Sequence, residues 1–92
     1  MAKIVYTESY IRRAKKFVQK HPELLNQYKK TLQLLELNPK HPSLRLHKLT
    51  GRYKDLYSVS INISYRISLE LYIEDDRIIP IDVGSHDEVY GK

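Results

Sequence analysis

Apolar residues recur at intervals of three and four positions through the first part of the chain. One such stripe follows Thr7 and Ser9, either of which can cap a helix because its hydroxyl accepts a hydrogen bond from the first turn. A second stripe follows Pro22, a residue favoured at the first helical position, and it stops before Pro39. The pattern therefore predicts two amphipathic helices that form a hairpin. The stripes are Tyr10, Ala14, Phe17 and Val18 in the first helix, and Leu24, Leu25, Tyr28, Leu32 and Leu35 in the second.

The period changes from helical to alternating after a turn at Thr50 and Gly51. In LYSVSI at 56–61 and YRISLELYI at 65–73, every second residue is apolar. Successive side chains of a strand point to opposite faces, so each stretch predicts a strand with one apolar and one polar face. Arg66 falls on the polar face of the second stretch.

Two further strands frame this pattern. KIVY at 3–6 is typical of a short strand before the helices, and the acidic segment EDDR at 74–77 predicts a hairpin turn into IIPIDV at 78–83. Pro80 has no N–H to donate, which predicts an edge position, a bulge or an N–H that faces away from its neighbour. The expected fold is α+β with the order β-α-α-β-β-β, in which a curved antiparallel sheet carries the helical hairpin on its apolar face.

Length and composition limit the class of protein. Ninety-two residues, 41% hydrophobic and 29% charged, are typical of a single globular domain spanning 1–92. The chain has no cysteine, which excludes disulfides and thiolate metal sites. No apolar run approaches the roughly 20 residues that cross a bilayer, and the N-terminus lacks a secretory signal, so we expect a cytoplasmic protein without a membrane partner.

The charge is positive and unevenly distributed. Sixteen lysines and arginines against eleven acidic residues give a net charge of +5. Positive residues gather in RRAKK at 12–16 and in KHPSLRLHKLTGRYK at 40–54, whereas acidic residues lie mainly in the 74–77 turn and in the tail. A basic surface attracts polyanions through phosphate contacts and counterion release, and the histidine, arginine and tyrosine of the second stretch favour RNA.

The four histidines divide into two pairs. His21 and His41 each precede a proline, which restricts them to extended or turn geometry, and we interpret both as cap or turn residues. His47 lies in the second basic stretch and His86 follows the last strand. If the strands pair as hairpins, both can converge with Arg66 over the polar sheet face. The alternative is that the two histidines are solvated surface residues and that Arg66 pairs with Glu70.

Three stretches resemble the signatures of a known family. LHKLTG at 46–51 is similar to a histidine-leucine-glycine signature before the second strand, YRI at 65–67 to a strand arginine, and GSHDEVY at 84–90 to a terminal histidine and aromatic residue. Over nearly the whole chain they resemble the RelE/YoeB/YafQ superfamily, the toxins of bacterial type II toxin-antitoxin pairs. The resemblance implies the fold above and an endoribonuclease that cleaves mRNA at the ribosomal A site. It also implies a cognate antitoxin as partner in a hetero-oligomer, and no metal or cofactor.

The implied reaction is attack of the RNA 2′-hydroxyl on the adjacent phosphate. It needs a base, an acid and a cation, which imidazole and guanidinium groups supply near neutral pH. By resemblance, His47 and His86 transfer protons as base and acid respectively, Arg66 stabilises the phosphate, and Tyr90 stacks on or orients the nucleobase. The residues expected on flanking phosphates are Lys48, Arg52, Lys54 and, as a weaker candidate, Arg45.

The chain departs from the YafQ branch at three positions. Ser60 and Ser64 stand where that branch has a second strand histidine and a nearby aspartate, and Tyr65 stands where it has a tryptophan. Serine does not carry protons near pH 7, so the expected catalytic set is reduced to two histidines and an arginine.

Three other classes of protein remain open. A ParE-like toxin shares the fold and inhibits DNA gyrase by contact, although the presence of both His47 and His86 argues against it. A non-catalytic RNA-binding module needs the basic surface and not the histidines. A metal enzyme could draw on these histidines with Asp82 or Asp87, but no single element carries them at ligand spacing.

Overall fold

The computed structural model describes residues 2–51, 55–85, 87 and 89. The described elements are β1 (Lys3–Ile4), α1 (Glu8–Lys20), α2 (Leu25–Leu37), β2 (His47–Lys48), β3 (Tyr57–Ser60), β4 (Tyr65–Tyr72) and β5 (Arg77–Ser85), with single-turn 3₁₀ helices at Pro22–Leu24 and Pro42–Leu44. The predicted fold class, a helical hairpin followed by a sheet, is confirmed. One strand, β2, had not been predicted, because two residues are too short to display an alternating pattern.

Both helices begin and end at residues whose chemistry favours those positions. The Thr7 side chain accepts a hydrogen bond of 3.1 Å from the Tyr10 N–H and so caps α1, as predicted. Pro22 begins a 3₁₀ turn and not α2 itself, which starts three residues later at Leu25. At the other end, α2 stops at Leu37, two residues before Pro39, because the residue before a proline disfavours helical geometry.

The sheet is mixed and has the strand order β1-β5-β4-β3-β2. The pairs β2–β3, β3–β4 and β4–β5 are antiparallel, whereas β1 runs parallel to β5 and pairs with it at Arg77 and Ile78. The expectation of an entirely antiparallel sheet is therefore wrong for β1. A parallel neighbour needs a long crossover connection, and the helical hairpin that follows β1 begins such a crossover.

Pro80 lies beside a β-bulge. Leu69 is opposite Pro80 and Ser68 is opposite Asp82, which leaves Ile81 as the extra residue of β5. Since a bulge interrupts the ladder of hydrogen bonds, it accommodates a residue that cannot donate one. Of the three situations predicted for Pro80, an edge position, a bulge or an N–H that faces away, the structure shows the bulge.

The core lies between the helices and the apolar sheet face. Tyr10 and Phe17 of α1 and Tyr28 and Leu35 of α2 pack over the sheet. The sheet residues beneath them are Val59, Ile67, Leu69 and Ile78, all fully buried. The alternating pattern of β3 and β4 thus predicts correctly which residues face the helices. No helix among the described residues is both long and apolar enough to span a bilayer.

The second sheet face is polar but not fully open to solvent. Ser58 and Ser68 face each other across β3 and β4, with exposures of 0% and 1%. Leu49 is also buried, and its N–H donates to the Leu56 carbonyl, which continues the β2–β3 ladder and places Leu49 on the same face as Ser58. Leu49 lies outside the cluster that forms the main core. The second face therefore has a buried centre of its own.

A buried hydrogen bond joins the two helices. The hydroxyl oxygens of Tyr10 and Tyr28 are 2.7 Å apart, and both side chains are buried. Burial raises the pKa of both phenols above the ordinary value of 10.0, so both stay protonated at neutral pH. Each hydroxyl has the other as its partner, and neither α1 nor α2 can shift along its axis without breaking the contact.

We predict that removing one hydroxyl destabilises the protein more than removing both. Tyr28→Phe leaves the Tyr10 hydroxyl buried without its partner and should lower the free energy of unfolding by about 1–3 kcal/mol, whereas Tyr10→Phe with Tyr28→Phe leaves no orphan. Urea unfolding of the two single variants and the double variant measures the coupling. Additive losses in the double variant would show that the hydrogen bond does not couple the helices.

Candidate active site

Two residues predicted for catalysis lie on one face of the sheet. His47 of β2 is directly opposite Ser58 of β3, and cross-strand partners project their side chains on the same side. Arg66 of β4 is opposite Ser60, which shares that face with Ser58 because the two are separated by two positions. The Arg66 Nη1 atom lies 3.5 Å from Ser58 Oγ. His47 and Arg66 therefore flank Ser58 from the strands on either side of β3, and the third residue of the predicted convergence, His86, lies outside the described residues.

The His47 ring is oriented by the backbone that precedes it. Its Nδ1 atom is 3.1 Å from the Arg45 carbonyl oxygen, and a carbonyl can only accept, so Nδ1 carries the proton. Arg45 has a φ of 50°, in the left-handed region, at the end of the Pro42–Leu44 turn. In this tautomer the lone pair of the neutral ring is on Nε2, and the ring is suited to accept a proton there.

Arg66 does not form the surface ion pair that was the alternative interpretation. Within the described residues, no ion pair joins Arg66 and Glu70, whereas ion pairs do join Arg13 to Asp82, His21 to Glu23 and Arg77 to Asp75. The physical reason is the rise of a strand, about 3.3 Å per residue, which separates the Cα atoms of positions 66 and 70 by about 13 Å. Arg66 is partly buried and its recorded contact is with Ser58.

The residues predicted to contact flanking phosphates do not all lie on the same sheet face as His47 and Arg66. Lys48 follows His47 in β2, is exposed, and projects from the opposite face of the sheet. Arg45 is exposed and contributes its carbonyl to the His47 ring. The predictions for Arg52, Lys54, His86 and Tyr90 lie outside the described residues. His47 and Arg66 thus lie on the same face of the sheet, and Lys48 lies on the opposite face.

The two serines that replace the YafQ-branch residues belong to the β3–β4 turn. Ser60 Oγ donates to the Asn62 carbonyl at 2.6 Å, and the Asn62 side chain accepts from the backbone N–H groups of Ser64 and Tyr65 at 2.8 and 2.9 Å. An asparagine that accepts from residues two and three positions ahead is a turn-forming residue. These contacts hold the turn that precedes Arg66, which is a structural role and not proton transfer.

The geometry does not favour a metal site made from the acidic and histidine residues considered above. Asp82 lies on β5 and His47 on β2, three strand spacings apart, which is about 14 Å and too far for one ion. The Asp82 carboxylate instead lies 4.0 Å from the Arg13 guanidinium. Among the residues that the structure describes, no three histidine, aspartate or glutamate side chains are grouped in a way that could hold a metal ion.

Sequence reasoning missed Ser58 and the Arg45 carbonyl. Each contacts a residue that was predicted to be catalytic: Ser58 contacts Arg66, and the Arg45 carbonyl orients the His47 ring. Their positions depend on β2, because only its pairing with β3 places His47 opposite Ser58. A signal was present in the distance between LHKLTG and LYSVSI, which allows a hairpin, but two residues gave no period to support it.

Comparison with known proteins bears on the fold. No protein-family model and no curated protein matches the sequence. YafQ from E. coli strain BL21(DE3) has a TM-score of 0.78 at 19% identity, over 99% of this chain and 100% of that one. A chain of the E. coli DinJ–YafQ toxin–antitoxin complex gives 0.76 at 22% identity over 98% of both chains. A chain of the YoeB–YefM complex from Staphylococcus aureus gives 0.69 at 18%, over 94% and 98%. The chain therefore has the fold of the YafQ and YoeB toxins, which confirms the fold that the resemblance implied.

We predict that His47 and His41 hold opposite neutral tautomers. His47 Nδ1 donates to a carbonyl, whereas His41 Nδ1 accepts from the Ser43 N–H at 3.2 Å and must carry its proton on Nε2. Nitrogen NMR of the imidazole rings, recorded at a pH where both rings are neutral, distinguishes the two forms. A His47 ring protonated on Nε2 would contradict the assignment, and His41 serves as the internal reference.

Proposed function

We propose that this protein is the toxin of a type II toxin-antitoxin system and a metal-independent endoribonuclease that cleaves mRNA at the ribosomal A site. The observation that carries the proposal is the convergence of His47 and Arg66 over Ser58. It occurs on the polar face of a sheet whose fold is that of YafQ and YoeB. The net charge of +5 suits an RNA substrate.

In this proposal the two residues have distinct roles. His47 Nε2 accepts the proton of the 2′-hydroxyl, because Nδ1 is committed to the Arg45 carbonyl. The oxygen then attacks the adjacent phosphate, and Arg66 donates hydrogen bonds to the phosphorane, whose charge exceeds that of the ground state. Cleavage leaves a cyclic phosphate on one fragment and a hydroxyl on the other.

The remaining roles rest on the sequence resemblance. His86 protonates the leaving oxygen and Tyr90 stacks on or orients the nucleobase at the cut. β5 ends at Ser85 opposite Tyr65, the residue before Arg66, so the chain leaves the sheet beside the proposed phosphate site. Arg52 and Lys54 hold flanking phosphates on the same basic stretch.

Partial burial strengthens what Arg66 can contribute. Its guanidinium contacts Ser58, whose side chain is fully buried, and charge interactions are stronger where the local dielectric constant is low. The guanidinium is also held in place before substrate binds, which avoids reorganisation during the reaction. A planar fork of donors matches two phosphate oxygens at once.

We predict that Arg66→Ala lowers the rate of cleavage by roughly a hundredfold or more without unfolding the protein, because one transition-state donor is lost. Arg66→Lys should restore only part of the rate, since a point charge replaces the fork. The measurements are cleavage of mRNA on programmed ribosomes and thermal melting of each variant. Arg77→Ala is the matched control, because Arg77 is a strand arginine on β5 whose contacts are with Asp75 and Tyr72.

Three results would count against this proposal. A folded Arg66→Ala protein with full activity would remove Arg66 from the site. Growth arrest with gyrase-linked DNA breaks and no new transcript ends would place the protein with the ParE-like toxins. Binding of RNA with intact transcripts would leave only an RNA-binding module.

The same proposal includes an antitoxin, and the helical hairpin offers it a surface. An open groove of about 580 Å³ runs between α1 and α2. Its floor includes Ala14, Val18 and Leu32, and Lys15 lies at its rim. Ile11 also lines the groove with 42% of its surface exposed. An amphipathic helix with an acidic outer face fits such a groove by apolar contact and by charge.

We predict that Ile11→Glu prevents neutralisation by the antitoxin and leaves toxicity intact, because a carboxylate in the groove opposes both the apolar contact and the acidic partner. The probe is the short acidic protein expected from the neighbouring reading frame. Co-expression growth assays and binding at increasing salt give the readouts. Ile73→Glu is the control, since Ile73 is 69% exposed in the β4–β5 turn and does not line the groove. Equal loss of neutralisation in both variants, or affinity that does not weaken with salt, would contradict the placement.

A further inference from the structure

In the basic segment at 12–16, Lys15 lies beside the α1–α2 groove, whereas Arg13 and Lys16 lie elsewhere and have no role in the function proposed above. A second groove, of about 420 Å³, lies where α1 meets β5. Three cationic side chains of α1 line it, at positions separated by three and four residues: Arg13, Lys16 and Lys20. Residues at this spacing share one face of a helix, and seven residues span about 10 Å along its axis.

The charges in this groove are only partly compensated. Arg13 Nη1 donates to the Ile81 carbonyl at 3.0 Å and lies 4.0 Å from the Asp82 carboxylate. Glu23 is the other nearby acid and lies 3.7 Å from the His21 ring. In the part of the chain that the structure describes, Lys16 and Lys20 form no ion pair. The positive charge of Lys20, in the last turn of α1, does interact favourably with the negative end of the helix dipole.

The α1–β5 groove is more polar than the α1–α2 groove. Phe17 and Val83 line it but are 6% and 7% exposed, so neither can act as an anchor for a protein partner. This is the opposite of the α1–α2 groove, where Ile11 and Tyr6 are exposed. A polyanion whose charges repeat along a backbone fits the α1–β5 groove better than a protein surface does.

The groove is also close to the proposed catalytic face. Val83 lines the groove, and the next residue, Gly84, is opposite Arg66. β1 covers the outer edge of β5 only at Arg77 and Ile78, and no other described strand pairs with that edge. A single strand of RNA held at Arg66 can therefore cross the edge of β5 and reach Lys16 and Lys20.

We propose that the α1–β5 groove binds the sugar–phosphate backbone of single-stranded RNA next to the position of cleavage, through Lys16 and Lys20. This inference rests on the proposed ribonuclease function for the direction of the strand. The groove supplies affinity without reading bases, because lysine contacts to phosphate carry no sequence information. The α1–β5 groove is separate from the proposed catalytic residues His47 and Arg66, which lie on the other face of the sheet.

The test compares Lys16→Ala/Lys20→Ala with Lys29→Ala/Lys30→Ala. Both double variants lose two positive charges from exposed helix positions, but Lys29 and Lys30 lie on α2 away from the groove. The probe is a single-stranded RNA of about ten nucleotides with 2′-O-methylribose at every position, which cannot be cleaved because the attacking hydroxyl is blocked, and binding is followed by fluorescence anisotropy at several salt concentrations. Thermal melting shows that both variants are folded.

We expect the groove variant to bind more weakly. The slope of log K against log salt should become shallower by about 1.4, the value for the loss of two phosphate contacts to a single strand. The control variant should keep the slope of the unmodified protein. An unchanged slope in the groove variant, or an equal change in both variants, would overturn the inference. Unchanged binding to the oligonucleotide together with weaker binding to polyglutamate would assign the groove to an acidic protein partner and would also overturn it.

Cleavage kinetics separate this inference from the proposed function. The groove variant should require more RNA for half-maximal rate and should reach the same rate at saturation, since its lysines do not contact the reacting phosphate. If the unmodified protein binds the oligonucleotide through the groove and cleaves no RNA, the ribonuclease proposal fails while the groove assignment holds. If it cleaves RNA and the groove variant behaves like the control, only the groove assignment fails.

Discussion

The register between β3 and β4 is the constraint on which the rest of the structure depends. Val59 and Ile67 face each other beneath the helices and are completely buried. A slip of β4 by one residue would turn Ile67 toward the opposite face and bring Ser68 and Arg66 into the apolar core. The free energy of burying these side chains against α1 and α2 therefore also fixes the face from which Arg66 projects. The position of the candidate catalytic residue follows from the packing of residues that take no part in the chemistry.

The opposite face is specified by a different interaction. Ser58 and Ser68 are small enough to be buried together at the centre of the sheet, and Arg66 reaches over Ser58 to Oγ. A bulky residue at position 58 would occupy the space that the guanidinium and the His47 ring share. The two sheet faces thus use opposite means to fill space: large branched side chains on the helix side, and serines that leave room for functional groups on the other.

Much of the fold was predictable because its main elements carry a period. The stripes of α1 and α2, the cap at Thr7 and the alternation of β4 all act locally, and the same alternation placed Arg66 on the polar face. The parallel pairing of β1 and the existence of β2 were not predictable, since two residues show no period and their partners lie far away in sequence. In the candidate site, the residue types were visible, but the burial of Ser58 and the hydrogen bond that His47 Nδ1 donates to the Arg45 carbonyl were not. The burial of Ser58 depends on strand pairing, and the contact of His47 depends on the left-handed backbone at Arg45; neither leaves a periodic pattern in the sequence.

The α1 helix shows how one element can serve two kinds of surface. Its buried stripe at Tyr10 and Phe17 holds it to the sheet, and the faces on either side of that stripe differ in chemistry. Ile11 and Ala14 meet α2 in an apolar groove, whereas Lys16 and Lys20 line a charged groove against β5. Because successive residues of a helix are rotated by about 100°, a compact run such as RRAKK distributes its charges over both flanks, and the sequence alone shows only a basic cluster. The fold places Lys15 beside the apolar groove and Lys16 in the charged groove. Each flank can therefore be changed by substitution without altering the stripe that anchors the helix.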